Sequence, residues 1–227
     1  MLSLAAAHQA GWLGKVVDAA VAWLLTHAQV LFQAINGVVL AIVAATEAVL
    51  QWPSAWSFAL LVALLGLWRV NGGFALFVLL GLNLVLSMDL WAPMITTLSL
   101  VLAASLLALI VGLPLGILSA RHAMVWRLVR PGLDLMQTMP AFVYLIPAVM
   151  LFSTGAVPSI IATLIFAMPP VVRLTQLGLS QVPADLLEAG RSFGCSGRQL
   201  LWKVQMPSAL PTVMTGVNQT IMLSLSM

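Results

Sequence analysis

Charged residues are so widely spaced along this chain that the gaps between them mark out its apolar segments. The uncharged runs cover 48–68, 70–88, 90–120, 135–172 and 204–227. Because a helix needs about 20 apolar residues to cross a bilayer, the first three runs each predict one crossing and the fourth predicts two. The residues at 153–158, Ser-Thr-Gly-Ala-Val-Pro, have the composition of a turn between those two. Polar and apolar residues do not alternate, so the pattern predicts helices rather than strands.

Composition narrows the class of protein further. Of 227 residues, 62% are hydrophobic and 7% are charged, whereas a soluble domain carries about 25% charged residues. Too few polar side chains are present to cover a water-facing surface, and disorder would need low hydrophobicity with high net charge. A single cysteine excludes a disulfide framework and a multi-cysteine metal site. The sequence therefore predicts an all-α fold, a polytopic membrane helix bundle.

The basic residues give this bundle a direction. If 90–120 runs from the outer to the inner face, eight of the nine Lys and Arg residues, all except Lys15, fall in cytoplasmic segments. Asp89 and the turn at 153–158 then lie outside.

Three regions are expected along the chain. Residues 55–90 form peripheral membrane helices, and residues 91–227 form the core of the bundle. Residues 1–54 leave two interpretations open, because the helical segment 16–51 also carries His27, Asn36 and Glu47. It is either a first span that starts inside at Lys15 or an amphipathic helix on the outer surface. Residues 1–14 lack the basic leader of a cleaved signal peptide.

The segment 178–211 lies between two spans and is much longer than a usual connection. Pro183 suits the first turn of a helix, and Gly194 suits its end. Ser196 and Gln199 have the spacing of a capping box, which predicts a second helix that Pro207 stops. The expected face of the first helix contains Leu186, Leu187, Ala189, Gly190 and Phe193.

Two interpretations of this helix pair remain open. It is either an interfacial cover for the bundle or a docking element for a soluble cytoplasmic partner. A short rigid element with mixed charges and one apolar face suits a groove on such a partner.

The same segment resembles the signature of ABC importer permeases. Glu188-Ala189-Gly190, three residues, Gly194, nine residues, Val204, one residue and Met206-Pro207 match its spacing throughout. Gly190, Val204 and Met206 replace the usual alanine, isoleucine and leucine. The resemblance implies an ABC type I importer permease-like fold, with a cytoplasmic coupling helix pair that docks on an ATPase. The residues that it implies for coupling are Asp185, Glu188, Ala189, Gly190, Arg191, Ser192, Phe193, Gly194 and Pro207.

A narrower resemblance covers about residues 91–227. Strings such as GLPLGILSAR and FAMPPVVRLTQLGLSQVPADLLEAGRSFG are similar to the glycine betaine/proline/choline branch of these permeases. The branch implies a homodimeric, multi-pass permease of the bacterial inner membrane that imports compatible solutes. It also implies two further partners, a cytoplasmic ABC ATPase subunit and an extracytoplasmic substrate-binding protein. Counted from Thr212, only 16 residues remain to Met227, so the last span is expected to be incomplete and the chain truncated.

Prolines and aromatic residues suggest where a solute would pass. Pro114 lies within the run 90–120, and Pro169-Pro170 is expected to close the helix after the 153–158 turn. The candidate pathway residues are Pro140, Phe142, Tyr144 and Pro147, because an aromatic ring suits an ammonium group by cation–π contact. Ordinary core packing is the other interpretation of these residues.

Several kinds of chemistry are not expected. The sequence contains no G-x-x-x-x-G-K-[ST] run and no H-E-x-x-H or Cys/His cluster, so ATP hydrolysis would come from a partner. We therefore expect no enzymatic activity, no metal, no cofactor and no nucleic-acid partner. The alternative function is an ion-coupled secondary transporter or channel, although 90–120 and 135–172 contain no ionisable residue of the kind such carriers use.

Overall fold

The computed structural model describes residues 26–227 and, before them, residues 14–16, 19 and 23. This part of the chain contains helices and connecting turns but no strand, so the all-α prediction is confirmed. The helices are α1 (Gln29–Gln51), α2 (Ala55–Arg69), α3 (Gly72–Ser87), α4 (Trp91–Arg121), α5 (Ala123–Thr138), α6 (Phe142–Phe152), α7 (Ala156–Ser180), α8 (Ala184–Ser192), α9 (Gly197–Leu200), a π-helical turn (Leu201–Gln205) and α10 (Met206–Leu225).

The centre of the fold is a pair of parallel helices, α4 and α7. Gly112 packs against Val171, and Gly116 packs against Thr175, so residue numbers rise together along the two helices. Small residues allow this close approach, which in a membrane is stabilised by van der Waals contact. The face of α4 that is buried is made of Ile95, Ser99, Ala103, Ala104, Ser105, Ala108, Gly112, Gly116 and Ser119.

Helix α10 lies antiparallel to α7. Gly178 of α7 approaches Ala209 and Thr212, whereas Gly216 approaches Val171 and Pro170 of α7. The helix begins at Met206 and has 20 residues. The 16 residues counted from Thr212 therefore understate the length of the last helix.

The contacts and composition of helix α1 favour the first of the two interpretations of the N-terminal region, a membrane span. Val39 packs against Ala103 and Ala104 in the core, and the Thr46 hydroxyl donates a hydrogen bond of 3.3 Å to the Ser99 carbonyl. These contacts place α1 antiparallel to α4. Its 23 residues are long and apolar enough to span a membrane, although this helix begins at Gln29 rather than at Lys15.

The number of straight crossings is smaller than the uncharged runs predicted. Among the described residues, α1, α4 and α7 are long and apolar enough to cross, and the α5–α6 pair would add a fourth crossing. Helices α2 and α3, with 15 and 16 residues, are about 22–24 Å long and so shorter than the hydrocarbon core of about 30 Å. They pack on each other, with Gly66 against Phe74.

The run 135–172 differs from the prediction in two ways. Its first crossing is not straight, because α5 and α6 meet at an angle of 101°. Pro169-Pro170 does not close the next helix, since α7 continues through both prolines to Ser180. The turn between the crossings is confirmed, with Ser153 and Gly155 at φ values of 64° and 148°.

Candidate functional site

The segment predicted to couple to a partner forms a short helix, a turn and a second helix. Helix α8 begins after Pro183 and carries Asp185 in its first turn and Arg191 in its last turn. Both charges complement the helix dipole, because acidic groups are favoured at the N-terminus and basic groups at the C-terminus. Pro183 is the N-cap rather than a residue of the first turn.

Backbone hydrogen bonds fix the end of α8. The Gly194 N–H donates to the Arg191 carbonyl at 2.9 Å, and the Cys195 N–H donates to the Gly190 carbonyl at 3.1 Å. These two bonds define a Schellman motif, which requires a left-handed residue after the helix. Gly194 supplies it with φ of 78°. The sequence correctly predicted that α8 ends at this glycine.

The second helix begins with the predicted capping box. The Gln199 N–H donates to the Ser196 hydroxyl at 3.4 Å, and the Ser196 N–H donates to the Gln199 side chain at 2.8 Å. One residue, Cys195, separates the Schellman turn at Gly194 from this cap. Local hydrogen bonds therefore determine the path of the backbone from α8 into α9.

Helix α8 rests on the second helix through Gly190. A Cβ atom at Gly190 would lie 2.6 Å from Cδ1 of Leu200 and 3.5 Å from Cγ2 of Val204. The glycine that replaces the second alanine of the permease signature therefore sits at the closest contact between the two helices. The outer surface of α8 is exposed, including Glu188, Ala189 and Ser192.

The exposed surface differs from the apolar face that the sequence predicted. Gly190 is buried and Leu187 is half-buried, but Leu186 and Phe193 are exposed, Phe193 by 88%. A large aromatic side chain at the apex of the segment is therefore available to a partner. Trp, Tyr and Arg dominate binding hot spots, and a Phe ring likewise brings a large apolar area to an interface.

Pro207 does not stop the second helix, contrary to the prediction. Helix α9, the π-helical turn and α10 follow one another without a break from Gly197 to Leu225, with Pro207 at the start of α10. A π-turn shifts the hydrogen-bond register by one residue, and such turns occur often at functional sites. The coupling segment is therefore continuous with a helix of the bundle.

One side-chain hydrogen bond ties this segment to the central helix pair. Arg121, the last residue of α4, donates from Nη2 to the carbonyl of Gly197 at 2.9 Å. The two residues are 76 positions apart. No spacing pattern in the sequence pointed to this contact.

The four predicted pathway residues lie at or near the bend between α5 and α6. Pro140 is in the break between the helices, and Pro147 is inside α6. The Tyr144 hydroxyl donates a hydrogen bond of 2.9 Å to the Leu135 carbonyl, so it holds the bend together. Phe142, exposed by 75%, lines a cavity of about 320 Å³. Of the two aromatic candidates, only Phe142 lines this cavity.

The cavity is also lined by residues that no pattern in the sequence singled out. Ser159, Thr163 and Phe166 line it from the first half of α7. Their spacing of four and three residues places them on one helix face. That spacing was the available signal, but serine, threonine and phenylalanine are common in membrane helices and do not stand out.

The charged groups in the described part of the chain include one ion pair. Arg173 of α7 pairs with Asp134 of α5, and both side chains are partly exposed. This contact joins the bent helix pair to the central helix α7. Among the described residues, no group of three His, Cys, Asp or Glu side chains could hold a metal ion.

Known proteins of similar sequence extend over most of the chain. Residues 112–227 match the family described as binding-protein-dependent transport system inner membrane component. The glycine betaine/proline betaine transport system permease protein ProW of Escherichia coli K12 is 47% identical over 217 residues, which are 95% of this chain and 60% of ProW.

Two relatives from other bacteria are also named as permease proteins of glycine betaine transport. The glycine betaine/carnitine transport permease protein GbuB of Listeria monocytogenes is 46% identical over 96% of this chain and 77% of its own length. The glycine betaine transport system permease protein OpuAB of Bacillus subtilis is 50% identical over 74% of this chain and 60% of its own length. The chain thus spans about 60% of the length of several curated relatives that it matches.

Proposed function

Because this chain belongs to the family of binding-protein-dependent transport system inner membrane components, we propose that it is the permease subunit of an ATP-driven importer. Its solutes would be small onium compounds of the glycine betaine class, which the names of ProW, GbuB and OpuAB specify for those relatives. The ion-coupled carrier or channel is the weaker alternative, because the matching family transports with a binding protein.

The observation that carries the proposal is the exposed helix–turn–helix between α7 and α10. Its backbone is fixed by the Schellman motif at Gly194 and the capping box at Ser196. A pre-organised element loses little conformational entropy when it binds, so it suits a cleft in a rigid partner. We assign this role to residues 183–207, with a cytoplasmic ATPase subunit as the partner and the site of ATP hydrolysis.

Chemistry on the surface of the segment supports docking over simple cover of the bundle. Asp185, Glu188 and Arg191 are exposed in the same segment as Phe193. An exposed apolar anchor together with polar and charged groups is typical of specific protein interfaces. A segment that only covered the bundle would instead turn its aromatic side chain toward the other helices.

The contact between Arg121 and Gly197 offers a route for coupling. A displacement of the docked segment would pull on the end of α4 through this hydrogen bond. Helix α4 is packed along α7 through Gly112 and Gly116, so both helices would respond together. Packed interiors have low compressibility and transmit such strain.

Two further partners complete the proposed importer. An extracytoplasmic substrate-binding protein would deliver the solute, as the description of the family implies. A second copy of this chain would complete the membrane part of the assembly. The full-length protein, rather than a shorter piece, is therefore the material for every test below.

Co-purification tests the docking role directly. The full-length chain, tagged and expressed with its ATPase, is solubilised, and Phe193→Ala is compared with Met124→Ala. Both side chains are exposed, but Met124 lies at the start of α5 and outside the segment. Loss of an interface anchor costs about 2 kcal/mol or more, so we expect about 30-fold weaker ATPase binding for Phe193→Ala alone. Equal recovery of the ATPase by both variants would remove the segment from the interface.

A further inference from the structure

The cavity beside Phe142 lies at the end of the bundle that is opposite the coupling segment. Thr163, in its wall, is 17 residues before Ser180, the end of α7, which corresponds to about 26 Å along the helix. Its volume of about 320 Å³ is at the lower end of the range of roughly 300–1,000 Å³ for small-molecule sites. A small solute fits such a volume, whereas a large one does not.

The hydroxyl groups around the cavity donate their protons to backbone carbonyls. Ser159, Thr163 and Ser226 line the cavity. Each uses its proton to bond a carbonyl of its own helix or of the preceding turn, at 3.3, 2.8 and 2.8 Å. Only oxygen lone pairs therefore remain for a ligand. An anion would meet no donor from these side chains, whereas a positive group is attracted by the lone pairs.

Two aromatic rings complete this chemistry. Phe142 and Phe166 line the cavity from α6 and α7. The face of an aromatic ring carries negative charge and attracts cations, and quaternary ammonium groups are commonly recognised in this way. Among the described residues that line the cavity, none has a charged side chain, so no side chain there would repel the positive group of a zwitterion.

The geometry points to a binding site for the onium headgroup of the transported solute between Phe142, Phe166 and Thr163. This inference deepens the proposed function and rests on it for the identity of the solute. The site suits a compact cation, because aromatic rings and hydroxyl lone pairs attract positive charge and no carboxylate side chain lines the cavity. The carboxylate end of a betaine would point away from these residues.

The same headgroup chemistry occurs in choline lipids as well as in soluble betaines. Nanodiscs of phosphatidylglycerol, with and without phosphatidylcholine, separate the two sources. If a free solute is the occupant, phosphatidylcholine leaves the binding of a soluble cation unchanged. Displacement of the soluble cation by phosphatidylcholine would assign the site to a lipid and overturn the solute assignment.

The test measures binding of tetramethylammonium to the full-length protein by saturation-transfer NMR, so it does not depend on uptake. Phe166→Leu and Phe142→Leu remove a ring but keep an apolar side chain, and Phe166→Tyr keeps the ring. Phe77→Leu is the matched control, because Phe77 is exposed on the peripheral helix α3. We expect affinity to fall about 3- to 30-fold for the two leucine variants at the cavity and to stay at the parent value for the other two.

A charge comparison completes the experiment. The anion 3,3-dimethylbutyrate has the shape of glycine betaine but a neutral carbon in place of the quaternary nitrogen, and we expect it not to displace tetramethylammonium. Equal competition by this isostere and by glycine betaine, or unchanged affinity in both leucine variants, would overturn the inference. If either of these results is obtained while the parent importer still takes up betaine, the binding-site inference fails but the proposed function stands. Binding as expected without any ATP-driven uptake would instead remove the proposed function.

Discussion

A methyl group added at Gly116 should separate the two central helices. The Cβ atom of an alanine there would lie 2.9 Å from the Val172 carbonyl oxygen and 2.6 Å from Cβ of Thr175. Carbon atoms normally stay at least about 3.5 Å from such neighbours. A backbone oxygen and a Cβ atom cannot move by rotating a side chain, so α4 must shift relative to α7.

The size of the effect follows from two opposing terms. Overpacking a well-packed contact costs about 1–3 kcal/mol. Replacing glycine by alanine within a helix offsets this by up to about 1 kcal/mol, because alanine has the higher helix propensity. Gly132→Ala is the matched control, since its Cβ would meet nothing within 4 Å in α5. Gly116→Ala should therefore be less stable than Gly132→Ala by about 2 kcal/mol.

Thermal unfolding of the two purified variants in the same detergent measures this difference. For a chain of this size, 2 kcal/mol corresponds to a difference of about 4–8 °C in Tm. The expected order is Gly132→Ala at or slightly above the parent protein and Gly116→Ala below it. A Gly116→Ala variant as stable as Gly132→Ala would show that the α4–α7 contact is not tight, and the reasoning would fail.

Three other substitutions test the turn, the bend and the link to the segment. Gly194→Ala places a side chain at φ of 78°, which costs about 1–2 kcal/mol, so limited proteolysis should cleave this turn faster than in Gly197→Ala, whose Cβ would meet nothing within 4 Å; equal rates would contradict the strained turn. Tyr144→Phe removes the hydrogen bond that closes the α5–α6 bend and should lower the free energy of unfolding by about 1 kcal/mol; an unchanged value in chemical denaturation would assign the bend to packing alone. Arg121→Gln should leave the ATPase bound but raise the ATP consumed per imported solute several-fold, as measured in proteoliposomes; an unchanged ratio would exclude this route of coupling.

Local chemistry made the backbone of the proposed coupling segment predictable from the sequence. Gly194, Ser196 and Gln199 act on backbone groups within three or four residues of themselves, so their spacing alone specifies the Schellman turn and the capping box. Pro207 was misjudged because a proline ends a helix only if the missing N–H was needed. It lies at the start of α10, directly after the π-turn, and there the missing donor is tolerated.

Local spacing patterns do not predict contacts between residues that are far apart in the sequence. Arg121 donates a hydrogen bond to the carbonyl of Gly197, which lies 76 residues later in the chain. Asp134 pairs with Arg173, which lies 39 residues later. The sequence placed Arg121 at the end of an apolar run, where α4 ends, but Arg173 lies inside α7, which continues to Ser180. Which groups then meet depends on the parallel packing of α4 and α7 and on the bend between α5 and α6, and neither is encoded in the spacing of charges.

The proline pair in α7 shows why apolar runs alone misjudged the crossings. Pro169 and Pro170 are buried, and the Pro170 carbonyl faces Gly216, whose Cβ would be only 3.3 Å away. The neighbouring helix thus packs directly on the part of α7 that a proline would weaken, which is how membrane helices tolerate prolines. Pro140 has no such cover, because it lies between α5 and α6, where the chain bends by 101°.

The contacts of the central helix pair differ from those of the bent helix pair. The helix pair α4–α7 is joined by close packing of small residues of α4, from Ala103 to Gly116. The bent pair α5–α6 packs on α7 through Leu133 and adds an ion pair at Arg173 and a side-chain hydrogen bond at Tyr144. Polar contacts of this kind can be exchanged for water or for a solute at little cost. Within the proposed importer, the coupling segment would therefore move helices α4 and α7 together through Arg121. The bent pair α5–α6, beside the cavity, would be the part that changes conformation.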